Sequence, residues 1–559
     1  MPAGRSCFAL PWRTSWIEFS YVQYSSPGHG LHRLNGLTKA ADYRPIGRGV
    51  GRPDWLVSEA LTHPQPLSQD SPMTCTQITP EQLPQVLQAQ KAAFVAHGPV
   101  SAQQRRERLQ RVIELLVRYQ QPLVDAMDAD FGGRPQGFSL MNDVIGSLAS
   151  LKYARDHLEH WMQDEPREVF SPYDQLGAKA WVMHQPKGSV GIIGTWNAPL
   201  FTLLSPLACV LAAGNRAILK PSEVVPRTAA VVAQAFAELF DPLEVAVVNG
   251  DAELAQVFTS QPFDHLVFTG STAVARSVMR NAALNLVPLT LELGGKSPVI
   301  ISRTADLAKA AFSIAAAKAN NGGQICINPD VVYVPQGLLD DFLGALRTAY
   351  GELFSRTAYG ELFSRIEDNP DVVAVINARH LQRVEGYVQD ARDRGARIES
   401  YPQPLAVDEQ QRRRPLQVVV NPPRDSQILH EEIFGPALVV LPYAQLDEAL
   451  ADIHSRERPL ALYYFGQNEE EQRYVLQHTH SGGVTINDVM MHAALHDAPF
   501  GGIGASGMGH YHGREGFLEF SHMRTVFKAP AHDPRREWGL LPPYGEHFLP
   551  TMQSMVTAD

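Results

Sequence analysis

Ser189-Val190-Gly191-Ile192-Ile193-Gly194 and, one helical stretch later, Arg216-Ala217-Ile218-Leu219-Lys220 decide the fold class. Each is a short, nearly continuous apolar run, the pattern of a strand buried on both faces. Residues 200 to 212 between them read as a helix that stops at Gly214. Pro226 then opens a helix rich in Ala and Val, since proline is tolerated in a first turn. Residues 245 to 248 and 265 to 268 read as two more strands. Strand, helix, strand repetition predicts an α/β fold with a parallel sheet covered on both faces. In such sheets, ligands bind beyond the carboxyl ends of the strands.

The chain has 559 residues, too many for one core, so two or more domains are expected. Its hydrophobic content of 44% and charged content of 19% are those of a globular protein. A net charge of -11 disfavours a nucleic-acid surface. The four cysteines, Cys7, Cys75, Cys209 and Cys326, form no Cys-x-x-Cys pair and no disulfide framework, which fits a reducing compartment. No apolar run approaches the ~20 residues of a membrane helix.

Upstream, residues 1 to 78 differ from the rest. Hydrophobic periodicity is poor, and Arg44-Pro45, Gly47-Arg48-Gly49 and Gly51-Arg52-Pro53 break any pattern. Phe8-Ala9-Leu10-Pro11-Trp12 is too short and proline-broken for a signal core. We expect a disordered or non-native extension, with Met73 as the natural start. Native peptides covering residues 5 to 60 would contradict this. The folded part is expected from Pro80, with a helix over 81 to 96. Ser101 and Gln104 form a capping box ahead of Leu109, Val112, Ile113, Leu116 and Leu123 at helical spacing. A third helix carries Ile145, Leu148, Leu151, Leu158 and Trp161. All three read as packing helices.

Residues 348 to 356, Thr-Ala-Tyr-Gly-Glu-Leu-Phe-Ser-Arg, recur letter for letter at 357 to 365. In one unbroken helix, Tyr359, Leu362 and Phe363 would turn away from the face used by Tyr350, Leu353 and Phe354. One copy is therefore expected to loop out or to extend a surface helix. Deleting residues 357 to 365 should leave turnover intact and raise the melting temperature; a large loss of activity would contradict this.

Downstream lies residues 290 to 329. It runs from Thr290-Leu291-Glu292-Leu293-Gly294-Gly295-Lys296-Ser297-Pro298 to Asn321-Gly322-Gly323-Gln324-Ile325-Cys326-Ile327-Asn328-Pro329, across an alanine-rich helical segment. A carboxylate and a cysteine each stand beside a Gly-Gly pair, where backbone can approach a ligand. The same letters also fit two ordinary loops and a buried free cysteine.

The other strand ends add partners: Gly194-Thr195-Trp196-Asn197-Ala198-Pro199, Lys220-Pro221-Ser222-Glu223 and Phe268-Thr269-Gly270-Ser271-Thr272. Further on stand Glu431-Glu432-Ile433-Phe434-Gly435-Pro436 and Pro499-Phe500-Gly501-Gly502. This ordered set resembles the aldehyde dehydrogenase superfamily over residues 80 to 530. Arg458-Pro459-Leu460-Ala461-Leu462-Tyr463, Gly482-Gly483-Val484-Thr485-Ile486-Asn487-Asp488 and Ser506-Gly507-Met508-Gly509-His510-Tyr511-His512-Gly513 resemble its class 3 branch, most of all the bacterial coniferyl-aldehyde dehydrogenases.

The resemblance implies a Rossmann-like parallel-sheet cofactor domain, an α/β catalytic domain and a small oligomerisation hairpin. The expected division is 79–292 for the NAD-binding domain (oligomerisation segment near 165–188), 293–505 for the catalytic domain and 506–559 for the C-terminal segment. It implies that Cys326 is the nucleophile, because a thiolate adds to an aldehyde and later leaves from a thioester. Its pKa must then fall below about 8.5. Asn197 and the Cys326 N–H would donate to the oxyanion. Glu292 would be general base for the hydrolytic water. Without the resemblance, Asn197 reads as a turn residue and Glu292 as a solvated carboxylate.

Lys220 and Glu223 resemble the pair that binds the adenosine ribose. The carboxylate favours NAD, while the lysine permits NADP. Gly270 and Ser271 precede a helix whose first N–H groups can meet a pyrophosphate. Glu432 and Phe434 resemble the residues that hold the nicotinamide ribose and ring. Ala198 and Ala275-Arg276 depart from the family pattern, leaving channel width and phosphate contacts open. His492, His496, His510, His512 and His522 lack a Glu or Cys companion at ligand spacing, so no metal site is expected. The expected activity is NAD(P)-dependent oxidation of an aromatic aldehyde to its acid by a cytoplasmic homodimer without a membrane anchor. Competing readings are a medium- or long-chain aliphatic aldehyde dehydrogenase and a catalytically inactive binding relative. A CoA-acylating enzyme is disfavoured by Glu292.

Overall fold

The computed structural model describes residues 78–79, 81–171, 173–354, 366–402 and 411–558, all within one compact unit, Met73–Asp559. The expected N-terminal extension up to residue 77 and the second repeat copy, 357–365, lie outside the described residues. The first copy runs into the end of the helix Leu339–Phe354, where Tyr350 and Phe354 are buried.

Among the described residues the strands form three sheets. β1 (Glu165–Arg167) and β2 (Lys179–Pro186) make an antiparallel hairpin near the expected segment. The second sheet takes β3 (Ser189–Ile193), β4 (Arg216–Lys220), β5 (Val245–Val247), β6 (His265–Thr269) and β7 (Leu289–Glu292), parallel in the order β7-β6-β3-β4-β5. Chain order reverses between β3 and β6, which opens a crevice at their carboxyl ends. β3, β4 and β6 are buried throughout, with apolar centres as a strand covered on both faces requires and, in β4 and β6, polar residues at the ends.

The third sheet holds β8 (Pro298–Ile301), β9 (Val331–Pro335), β10 (Arg397–Tyr401), β11 (Leu416–Val420), β12 (Ala437–Tyr443), β13 (Ala461–Phe465) and β14 (Gly483–Ile486). Its order is β10-β11-β12-β9-β8-β13-β14, parallel except for the β10–β11 pair. The C-terminal part returns to the other two sheets. β15 (Gly507–Met508) pairs antiparallel with β7, and β16 (Ser521–Lys528) pairs with β2 along its whole length.

The first helix is Leu83–His97. The capping box at Ser101 and Gln104 is formed and starts the 30-residue helix Ala102–Phe131. That helix packs on Pro226–Leu239 and Gly146–Trp161, burying Leu109, Val112, Ile113, Leu116 and Leu123. One expected core residue fails: Ile145 is 57% exposed. Residues Leu140–Ile145 form a π-helical segment, whose wider turn shifts the buried face onto Asp143 and Val144. No helix among the described residues is long and apolar enough to cross a membrane.

Candidate active site

The loop after β3 carries Asn197, only 6% exposed. Its Oδ1 accepts from Thr195 Oγ1 at 2.6 Å, and its Nδ2 donates to the Gln324 carbonyl at 3.1 Å. That second bond ties the β3 loop to the loop of Cys326. Asn197 is thus more than a turn residue. One amide N–H is engaged, and a second remains to be aimed elsewhere.

Cys326 follows a tight turn, Asn320–Gly323, in which Asn321, Gly322 and Gly323 have φ of 51°, 60° and 75°. A Cβ at Gly323 would stand 2.3 Å from the Gly435 carbonyl oxygen, so glycine is required where these two loops meet. The thiol is half-buried. Burial pushes its pKa up to about 12, and the charges of Glu432 and Glu292 add to the rise; the N–H groups of Cys326 and Ile327 only partly offset them. In this substrate-free state burial and the two carboxylates thus work against the lowering below about 8.5 that the nucleophile role requires. Desolvation and two nearby carboxylates both favour the neutral thiol.

Glu292 ends β7 and is 1% exposed, so it is not a solvated strand-end carboxylate. Neither carboxylate oxygen has a hydrogen-bond partner. Burial, followed by the charge of Glu519, holds the carboxyl well above its ordinary range. A buried unpaired acid keeps its proton rather than its charge.

Glu432 is pushed up to about 7 by burial, against a backbone bond from Gly295. A Cβ at Gly294 would lie 2.4 Å from its Oε1, which accounts for one glycine of that pair. The Glu432 loop is held from two sides. Arg383 donates to the carbonyls of Glu432 (3.0 Å) and Phe434 (3.3 Å). Lys296 pairs with Asp330 and donates to the carbonyls of Ile428 and Glu431, while Asp330 accepts from Ile433 N at 2.8 Å. Phe434 sits at φ 46° with its ring edge-on to Trp196 at 5.4 Å.

Lys220 and Glu223 stand at the end of β4. Lys220 is 1% exposed and donates to Glu223 Oε2 at 3.0 Å; the Glu223 side chain remains open to solvent. At the end of β6, Gly270 leaves no room for a Cβ against the Phe268 ring, and Ser271 caps the helix Thr272–Ala283 through Val274 N. Thr269 Oγ1 is buried there without a partner. An open carboxylate beside a lysine, an unpartnered hydroxyl and a helix N-terminus, all at strand ends, fit a dinucleotide.

Arg134, Asp143, Asn321, Gln324, Arg383 and Asp330 support this site, yet sequence reasoning missed them as a set. The motif letters contained Asn321 and Gln324. Nothing marked Arg134 or Asp143, which lie between the helical patterns of residues 109–123 and 145–161. Three of the five histidines are engaged elsewhere: His492 with Thr485 (2.9 Å), His512 with Ser205 (2.8 Å), His496 with Ser150 (3.3 Å). Among the described residues no group of three His, Cys, Asp or Glu side chains could hold a metal ion.

Comparison with known proteins places the chain in a family. The profile described as "Aldehyde dehydrogenase family" matches residues 55–526. The probable coniferyl aldehyde dehydrogenase of Caulobacter vibrioides is 48% identical over 464 residues, spanning 82% of this chain and 94% of that protein. A substrate-bound AldH of Staphylococcus aureus superposes with a TM-score of 0.77 at 33% identity, covering 84% of this chain and 99% of that one. An aldehyde dehydrogenase of Mycobacterium tuberculosis complexed with NAD+ gives 0.72 at 27% identity, covering 82% and 92%.

Proposed function

The chain belongs to the aldehyde dehydrogenase family and is an NAD- or NADP-dependent oxidoreductase; from that premise we propose that it oxidises aromatic aldehydes of the coniferyl type to carboxylic acids through Cys326. The observation that carries the mechanism is Glu292, buried and unpartnered, whose ionised form acts electrostatically on the Cys326 thiol. A solvent-excluded carboxyl whose field reaches the thiol suits a base that acts on one trapped water.

In its carboxylate form Glu292 takes the proton of the Cys326 thiol and releases it to solvent, as Sγ attacks the carbonyl carbon. The free N–H of the Asn197 amide and the Cys326 N–H stabilise the oxyanion, each worth about 10²–10³ in rate. When bound, the oxidised dinucleotide supplies the hydride acceptor. Loss of hydride leaves a thioester on Cys326. Glu292 takes a proton from water, the hydroxide adds to the thioester, and the thiolate departs with the acid as product. Lys220 and Glu223 hold the adenosine ribose, Gly270 and Ser271 the pyrophosphate, Glu432 and Phe434 the nicotinamide end.

Glu223→Gln should relax cofactor choice. Removing the carboxylate lifts its repulsion of a 2′-phosphate while Lys220 stays, so the NAD-over-NADP ratio of kcat/KM should fall on the order of tenfold. An unchanged ratio would remove Glu223 from the ribose site.

The expected domain division is retained as a proposal. β3–β7 fall within 79–292 and β8–β14 within 293–505, while 506–559 supplies β15 and β16. A homodimer through the β1–β2–β16 sheet is supported by Met523 and Phe527, 57% and 45% exposed on β16. Cytoplasmic location fits a nucleophile that must stay a reduced thiol. The activity is tested by assaying aromatic and aliphatic aldehydes with NAD and NADP. Hydroxycinnamaldehydes should give the highest kcat/KM. No turnover with any aldehyde, despite NAD binding, would contradict the proposal.

A further inference from the structure

An ion pair lies wholly inside the protein beneath the Asn197 loop. Arg134 is 1% exposed and Asp143 0%, and their Nη2 and Oδ2 are 2.8 Å apart. The pair has no share in the bond-making steps described above. Removing two charges from water is costly, and an apolar pair of similar volume often serves stability as well or better. What the pair touches is therefore informative.

Asp143 stands in the π-helical segment Leu140–Ile145. Its second oxygen, Oδ1, accepts from Leu200 N at 3.0 Å and Phe201 N at 3.4 Å. These N–H groups begin the helix Phe201–Ala212, which has no side-chain cap of its own. Asp143 thus pins the chain three residues beyond Asn197. Arg134 reaches the other way. Its Nη2 donates to the Asn197 carbonyl at 3.4 Å and its Nε to Asn321 Oδ1 at 3.2 Å. Asn321 Nδ2 in turn donates to the Asn197 carbonyl (2.9 Å) and the Gln324 carbonyl (3.1 Å). That Gln324 oxygen also receives the Asn197 amide. The ring of bonds fixes Asn197 at its carbonyl, at its side chain and just downstream.

The guanidinium itself cannot wander. It lies between the rings of Phe131 (4.8 Å) and Phe138 (5.0 Å). Its turn is bolted to the support of Gln324: Ala374 N donates to the Gly133 carbonyl at 2.9 Å, and Gln324 Nε2 donates to the Ala374 carbonyl at 3.1 Å. At Gly132 and Gly133, with φ of 66° and 131°, a Cβ would collide with the guanidinium groups of Arg412 and Arg413.

We infer that Arg134, locked by Asp143, is a positioning residue that sets the aim of the Asn197 amide toward the oxygen on the carbon that Cys326 attacks. The inference rests on the reading of Asn197 as an oxyanion donor. One Asn197 N–H is tied to Gln324; the direction of the other follows from the bonds that Arg134 and Asn321 make. A donor displaced by ~1 Å can forfeit about 10²-fold in rate.

The test is a double-mutant cycle on the full-length enzyme, reading kcat/KM for the aldehyde, KM for NAD and the melting temperature. Asn197→Ala alone should cost about 10²–10³-fold in kcat/KM. Arg134→Lys keeps a positive charge beside Asp143 but loses the planar fork. It should cost about 10–100-fold with the KM for NAD changed less than about twofold. In the Asn197→Ala background its further cost should shrink below about threefold, because the group through which it acts is gone. If Arg134→Lys does not fold, Asp143→Asn, which keeps an oxygen for Leu200 and Phe201, should give the same collapse. Equal costs in both backgrounds, or wild-type kcat/KM in the charge variant, would overturn the inference. Near-wild-type turnover of Asn197→Ala would overturn the oxyanion reading itself and the inference with it.

Discussion

Cys326→Ala abolishes aldehyde-dependent NADH formation, by about 10⁴-fold or more, while NAD still binds with unchanged affinity. No other described thiol can substitute. Cys209 is fully buried in the helix Phe201–Ala212, where desolvation pushes it up to about 12. Burial and the charges of Glu432 and Glu292 favour the neutral form of the resting Cys326 thiol. Alkylation by iodoacetamide should therefore be slow in the substrate-free enzyme at neutral pH, and should accelerate as pH rises. The variant is checked by NADH absorbance and by nucleotide fluorescence. Residual oxidation above a few per cent would remove Cys326 as the nucleophile.

Glu292→Gln stops deacylation after the first turnover, leaving a burst of NADH stoichiometric with enzyme and a steady rate lowered by about 10²–10⁴-fold. In the parent enzyme the base form exists only above the raised pKa of Glu292, so deacylation should rise with pH. That rising limb should flatten in the variant. Stability gives a second readout. A carboxyl raised on folding binds its proton more tightly in the folded chain. Its stabilising contribution is complete below the unfolded pKa of about 4.3 and is lost as pH rises through the folded value, by up to about 1.4 kcal/mol per pH unit. Glu292→Gln has no such slope, so its melting temperature relative to the parent should rise as pH climbs from about 4.3 toward the raised folded pKa. A constant difference across that range would contradict the buried, proton-retaining state of Glu292.

The sheet of β3–β7 was legible because strands covered on both faces must be apolar throughout, as Val190–Ile193 and Ala217–Leu219 are. The order of those strands was not, because pairing depends on contacts between distant segments. The site was legible where glycine or reactive letters were forced by chemistry: Gly294 and Gly323 leave room for Glu432 and for the Gly435 carbonyl. The state of the reactive groups was not. Nothing in the letters around Glu292 or Cys326 says that both are desolvated with no cation to offset them. Arg134 and Asp143 were hidden for a different reason. They fall between two helical patterns, and the π-turn that carries Asp143 inward also turns Ile145 outward, against its helical periodicity.

The central claim is a covalent acyl group on Cys326. Glu292→Gln enzyme is mixed with NAD and a hydroxycinnamaldehyde, quenched in acid after the burst and digested for mass spectrometry. The peptide containing Cys326 should gain the mass of the aldehyde less two hydrogens, the signature of a thioester, in proportion to the NADH formed. NADH formed in the burst with Cys326 unmodified, or with the acyl group on another residue, would contradict it.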